Sequence, residues 1–288
     1  MPGKKARNTL LIILIFVAVV FFGSMVMAIS KGMFKDKIGV VEINGVITES
    51  RDIMEDIVKF KEDKSVKGVI IRINSPGGSV GPSQEIYNEV VKLKSKKKVY
   101  VSMGSVCASG GYYIAVAGEK IYAMPATITG SIGVIMEHMI MEDLFRKIGL
   151  QSNTIKSGAF KDAGTPFRKM KEEEKVYFQG ILESIHEQFM DVVARERKIS
   201  IDDVKKLSDG RIFLGTRAKE LKLVDATGTL YDTVDDMKKA LNMKDKPVLV
   251  YGKKPFSLMK WLISSIIRNT ISEYYSTVIN LGMSPQSF

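Results

Sequence analysis

At 288 residues the chain is long enough to bury one large core or two modest ones, and 45% hydrophobic against 26% charged residues excludes a wholly disordered polypeptide. A single cysteine, Cys107, excludes an internal disulfide and a multi-cysteine metal centre, and two histidines, His138 and His186, argue against a histidine-rich one. The formal charge of +11 gathers at the ends, with Lys4, Lys5, Arg7, Lys31, Lys35 and Lys37 against Asp36 at one and Lys253, Lys254, Lys260 and Arg268 against Glu273 at the other. A nucleic-acid binder would concentrate basic charge on its folded part, so this distribution fits an anionic membrane surface better.

Residues 10–29 (LLIILIFVAVVFFGSMVMAI) contain no charged side chain. Twenty helical residues span about 30 Å, the thickness of a bilayer's hydrocarbon core, which predicts a transmembrane anchor. The competing reading is a cleaved signal peptide, for which Ala28-Ile29-Ser30 offers a small-x-small site, although the apolar run is longer than such peptides need. Lysines flank both sides, so charge alone leaves the orientation open.

Beyond the linker at 30–37, apolar β-branched runs alternate with helical stretches. Strands are predicted at Ile38–Ile47, Val69–Ile73, Val99–Met103 and Ile121–Ala126, and helices at Asp52–Phe60 and Ser83–Leu93. That alternation predicts an α/β fold built from βαβ units around a parallel sheet. A long amphipathic helix follows at Glu172–Lys198, with shorter ones at Asp202–Leu207, Thr216–Leu221 and Thr233–Leu241. Residues 256–282 return to apolar helical spacing through Met259, Leu262, Ile263, Ile266 and Ile267, which suits core packing, a subunit contact or an interfacial helix.

Three segments could carry chemistry. Asn74-Ser75-Pro76-Gly77-Gly78-Ser79 follows a strand, and its paired glycines either make a tight turn or point backbone N–H groups at a developing oxyanion. In Gly104–Tyr113 a strand ends in small residues, and Ser109-Gly110-Gly111 opens a helix. Ser109 is then an N-cap or an exposed nucleophile at the positive end of a helix dipole. Cys107 is the rival nucleophile, although an isolated cysteine among small residues is more often a packing residue. A serine nucleophile needs a base. His138 has no suitable setting and His186 reads as a solvated helix residue, whereas Lys161, in Lys156–Pro166, can serve if it becomes neutral near pH 7.

Taken together, Asn74–Val80 (NSPGGSV), Gly104–Tyr113 (GSVCASGGYY), Ala126–Val134 (ATITGSIGV), Lys156–Pro166 (KSGAFKDAGTP) and Gly210–Asp225 (GRIFLGTRAKELKLVD) resemble the signal peptide peptidase A family in its short, single-domain bacterial form. The resemblance implies a ClpP/crotonase-like parallel-sheet βαβ superhelix behind an N-terminal transmembrane helix. It divides the chain into a basic N-terminus (1–9), an anchor (10–29), a linker (30–37), a catalytic domain (38–250) and a C-terminal amphipathic tail (251–288). By motif it implies Ser109 as nucleophile, Lys161 as general base, Ser131 as the serine that orients that lysine, and Gly78 and Gly110 as oxyanion-hole N–H donors. It further implies a homo-oligomer, an octamer with sites shared between protomers, on the extracytoplasmic face of the cell membrane, acting on signal peptides without cofactor, metal or nucleic acid. Other readings are a stomatin-associated membrane protease, a non-catalytic membrane scaffold and a crotonase-type acyl-CoA enzyme. Cys107 departs from the family pattern, in which a small residue such as alanine is usual.

Overall fold

The computed structural model describes residues 13–23 and 36–252. Its framework begins with three parallel strands, β1 (Lys37–Asn44), β2 (Val66–Ser75) and β3 (Lys98–Ala108). Helices α2 (Arg51–Glu62) and α3 (Val80–Lys94) make the crossovers between them. Apolar residues run almost without interruption along β2, as a strand covered on both faces requires. Val69, Ile71 and Ile73 join the cluster under α2 and α3, with Ile57, Phe60, Ile86 and Val90. Ile70 points to the opposite face, into a second cluster with Ile38, Tyr100 and Tyr122. There α9 (Leu230–Ala240) supplies Val234 and Met237. Each such side chain, fully withdrawn from water, contributes on the order of 1.5–3 kcal/mol.

The sheet has eight strands, with a main path of β6-β5-β3-β2-β1-β8. Strand β8 (Val248–Tyr251) lies parallel beside β1. Strand β3 forks. Tyr100–Ser102 pair with β4 (Lys120–Ala123), which in turn pairs with β7 (Ala226–Thr227), whereas Val106–Ala108 pair with β5 (Ile128–Gly130). Strand β6 (Ile212–Leu214) closes that second branch antiparallel to β5. The fork follows an irregularity in the β2–β3 register between Ile73 and Ser75. At that point the Asn74 carboxamide Oδ1 accepts the Val106 N–H at 3.2 Å.

The remaining helices are α4 (Gly110–Ala115), α5 (Glu142–Lys147), α6 (Glu172–Arg197), α7 (Ile201–Leu207) and α8 (Gly215–Glu220). Between Ser131 and Lys171 the chain has no regular structure except α5, and it exposes large apolar side chains, among them Ile135 (81%), Met139 (71%) and Ile155 (97%).

Several boundaries differ from expectation. The first strand ends at Asn44, because Gly45 (φ 74°) turns the chain and Ile47 instead makes an isolated bridge to Gly78. The third strand runs to Ala108, five residues past the apolar run that signalled it, because β5 offers it a new partner after the fork. Of the predicted anchor at 10–29, residues 13–23 form helix α1 with exposed side chains, and the others lie outside the described residues. Among the described residues no helix is long and apolar enough to cross a membrane. The amphipathic stretch at 256–282 also lies outside the described residues.

Candidate active site

The ends of β2 and β3 meet at a pair of tight turns. At the end of β2, Gly77 has φ 104°, a left-handed backbone that favours glycine, and its N–H donates to Ser75 Oγ at 3.1 Å. A Cβ on Gly77 would sit 2.9 Å from Ser109 Cβ and 2.8 Å from Gly110 N, so the two turns touch through backbone. At Gly78 a Cβ would lie 2.1 Å from Ile47 O, and only glycine fits that approach. The bridge there is made by Ile47 N–H to Gly77 O (2.9 Å) and Ser79 N–H to Ile47 O (2.7 Å), which leaves the Gly78 N–H unused by it. Gly110 opens α4, where the first N–H groups have no intrahelical acceptor. A Cβ on Gly110 would be 3.4 Å from Gly78 N, so the backbones of Gly78 and Gly110 lie close together.

Ser109 stands at the junction of β3 and α4 with φ 51° and ψ −123°. Three bonds hold this strained elbow. Its N–H donates to Gly130 O at 2.9 Å, and its carbonyl accepts the Tyr113 N–H at 2.9 Å. One turn along, fully buried Tyr112 donates its hydroxyl to Leu223 O at 2.9 Å and locks α4 into the core. Ser131 repeats the left-handed backbone (φ 50°) at the end of β5, where its N–H donates to Arg211 O at 2.9 Å. A non-glycine residue in this region costs on the order of 1–3 kcal/mol and persists only where the surroundings dictate it.

Ser109, Ser131, Gly78 and Gly110 line one cavity of about 600 Å³. Val80, Tyr113, Ile185 and Phe189 make its apolar wall, and Asp209 and Gly210 close one side. Tyr113 stacks edge-on between Tyr87 and Phe189, with ring centroids 5.1 Å apart in both pairs, which stiffens that wall. Lys161 is elsewhere. It lies on an exposed turn of the 156–171 segment, with its N–H on Gly158 O at 3.1 Å, and it is not among the residues that line the cavity. Within one chain the cavity is therefore lined by Ser109, Ser131, Gly78 and Gly110 but not by the predicted base.

Two residues behave differently from, or more sharply than, their sequence suggested. His186, which reads as solvated, is half-buried in the cavity wall with a buried Nε2 that has no hydrogen-bond partner. Its neighbours Ile185 and Phe189 face the same cavity, and that spacing was the available signal. Cys107 is completely buried on β3, and burial pushes its thiol far up from its ordinary value. Since the thiolate is the nucleophile, Cys107 is a packing residue and Ser109 has no rival from it.

The sequence profile of Peptidase family S49 matches residues 91–244, and that of Clp protease matches residues 23–131. A relative named "Putative signal peptide peptidase SppA" from Enterococcus faecium is 35% identical over 290 aligned residues, covering 95% of this chain and 83% of the relative. The chloroplastic serine protease SPPA of Arabidopsis thaliana is 31% identical over 248 residues, 81% of this chain and 37% of that protein. Protease 4 of Haemophilus influenzae is 32% identical over 219 residues, 73% of this chain and 35% of that protein. A mixed α/β fold with a mainly parallel sheet, two matching profiles and a relative aligned along nearly the whole chain lead to one conclusion: the chain belongs to Peptidase family S49, as a serine peptidase of the signal peptide peptidase A family.

Proposed function

We propose that the chain is a membrane-anchored endopeptidase that cleaves signal peptides with a Ser–Lys dyad completed between two copies, on a ClpP/crotonase-like scaffold. The observation that carries this reading is the division of the site. Ser109 and Ser131 share a cavity with the Gly78 and Gly110 N–H groups, while Lys161 stands on an exposed turn outside it. The apolar surface of the 131–171 segment supports a neighbour that would bring Lys161 to a second chain's cavity, in an octamer if assembly follows the family.

In this reading, neutral Lys161 of one copy takes the proton of Ser109 Oγ in the next as that oxygen attacks a peptide carbonyl carbon. The carbonyl oxygen becomes an oxyanion and accepts the Gly78 and Gly110 N–H groups. The lysine then passes its proton to the departing amine, and the C–N bond breaks to leave an acyl-enzyme. Water, deprotonated by the same lysine, hydrolyses the ester and restores Ser109. Ser131 holds the lysine through its hydroxyl. The apolar wall of Val80, Tyr113, Ile185 and Phe189 suits the apolar side chains of a signal peptide. Residues 10–29 would tether this site at the extracytoplasmic face of the cell membrane.

The test is subunit complementation with the full chain in detergent. Ser109→Ala and Lys161→Ala are each expected to abolish hydrolysis of an apolar peptide, and mixing them after dissociation and reassembly to restore part of it. Wild-type activity should rise on the alkaline side, as a lysine base requires, and a flat rate from about pH 6 to about pH 9 would count against Lys161. One observation favours a second reading, with His186 as the base: its unpartnered Nε2 lies in the wall of the Ser109 cavity. That reading predicts activity that survives Lys161→Ala and needs no second subunit.

A further inference from the structure

The turn that carries Lys161 is fastened by one side chain. Arg168 donates from Nε to Asp162 Oδ2 (3.1 Å), from Nη2 to Asp162 O (3.4 Å) and Glu174 Oε1 (2.5 Å), and from Nη1 to Glu174 Oε2 (2.9 Å) and Lys169 O (3.1 Å). Every N–H of the guanidinium fork is thus engaged. Glu174 is 1% exposed and also accepts the Lys171 N–H at 3.0 Å, so the far end of the clamp is the first turn of α6. At the near end, Lys156 Nζ donates to Ala159 O at 2.8 Å and to the Asp162 carboxylate. Phe160 packs on Tyr177 of α6 with ring centroids 5.2 Å apart. Both chain neighbours of Lys161 are therefore pinned, and its own side chain is left exposed.

Charge follows the same geometry. The charged side chains of this turn and the start of α6 are Lys156 and Asp162 on it, Arg168, Lys169 and Lys171 after it, and Glu172, Glu173, Glu174 and Lys175 on α6, where Glu173 pairs with Lys171 and Glu172 with Lys175, and the Tyr177 ring stacks on Phe160. Hydrogen bonds from Arg168 and then Lys156 hold the Asp162 carboxyl well below the ordinary carboxylate range, and Arg168 with the Lys171 N–H holds Glu174 down at about 2. The carboxylate adjoining Lys161 is thus ionised and already neutralised by two cations.

Resting on Lys161 as the base, we propose that Arg168 is its positioning residue: it clamps the Lys161 turn to the start of α6 and occupies the Asp162 carboxylate, so that the lysine is presented rigidly and without a counter-ion beside it. An unpaired Asp162 would hold the lysine in its ammonium form. None of Lys156, Asp162, Arg168 and Glu174 lines the substrate cavity, and the part of α6 that does, at Ile185, His186 and Phe189, lies about three turns beyond Glu174, so the clamp acts on turnover and not on substrate binding.

The experiment measures kcat and KM for an apolar fluorogenic peptide from about pH 6 to about pH 10, with the full chain in detergent. Arg168→Gln is expected to lower kcat at neutral pH about tenfold, to leave KM within about twofold, and to move the alkaline rise upward by about one pH unit. Asp162→Asn should move the rise the opposite way. Arg168→Lys, which keeps charge but loses the fork, should return the rise to its wild-type position without recovering full kcat. An equal loss at every pH, or shifts of one sign in both Arg168→Gln and Asp162→Asn, would reduce Arg168 to a structural brace and overturn the proposal. Should Arg168→Gln not fold, the Arg168→Lys and Asp162→Asn profiles decide alone. Lys161→Ala runs alongside: if it is active the base assignment fails, whereas an inactive Lys161→Ala beside an unchanged Arg168→Gln removes only the clamp.

Discussion

Ser109 and Ser131 hold φ near 50°, where glycine would be cheaper, and both line the same cavity. Strain at two hydroxyl-bearing residues facing one space has a direct reading: their side chains, which glycine lacks, are worth the backbone cost. Gly78 is the reverse case. Its missing Cβ lets Ile47 O approach, and any side chain would push its N–H away from Gly110. Gly78→Ala is therefore expected to lower kcat about 100-fold or more, the typical cost of losing an oxyanion donor, with assembly size unchanged by sedimentation. The segment around Ser109 stood out as small residues opening a helix after a strand, but spacing alone left Ser109 an N-cap or a nucleophile, and only its combination with the other motifs singled it out. The place of His186 was not legible, since a histidine between Ile185 and Glu187 on a charged helix looks the same whether it faces water or a cavity.

Elements were read more easily where periodicity was long. The buried runs of β1, β2 and β3 and the amphipathic faces of α2, α3 and α6 announce themselves through spacing. Strands β5, β6 and β7, two or three residues each, carry too little pattern to be seen, and they exist because β3 forks and offers edges to pair with. Strand β5 is the most consequential of them, since it delivers Ser131 to the cavity. The end of α6 shows how an element is tied down by partners far away in sequence. The Arg197 side chain, 7% exposed, donates from Nη1 and Nη2 to Asp225 at 3.0 and 2.8 Å and from Nε to Lys222 O at 3.0 Å, while Asp225 also accepts the Ile121 N–H at 2.7 Å. Removing the guanidinium strands a partly buried carboxylate and a carbonyl. Arg197→Ala is expected to cost about 2 kcal/mol, read from chemical unfolding midpoints, and a loss below a few tenths would show the clamp to be idle.

On the scale of the molecule, the 131–171 segment exposes several large apolar side chains, with Met139 and Ile155 nearly free of the rest of the chain, the kind of surface that marks an interaction site when it is contiguous. It also carries the one predicted catalytic residue that the cavity lacks. Met139→Asp combined with Ile155→Asp is expected to reduce the sedimenting species to smaller forms and to abolish peptide hydrolysis, leaving the fold intact by circular dichroism. Undiminished assembly in that variant would mean the segment's apolar face is covered by something else.

The sequence by itself determined the α/β class, the order of the long elements, the elbow at Ser109 and the family, because these depend on local spacing and on short motifs whose residues stand next to each other. Only the tertiary structure decided which residues share a cavity, since Gly78, Ser109, Ser131 and His186 lie on four segments joined by the β2–β3–β5 pairing and by the packing of α6. It alone separated Lys161 from that cavity and fastened it through Arg168 to Glu174. Sequence spacing reports what neighbours along the chain can do, whereas a charged fork reaching across a turn and a strand that finds a new partner are settled by contacts made only once the chain has folded.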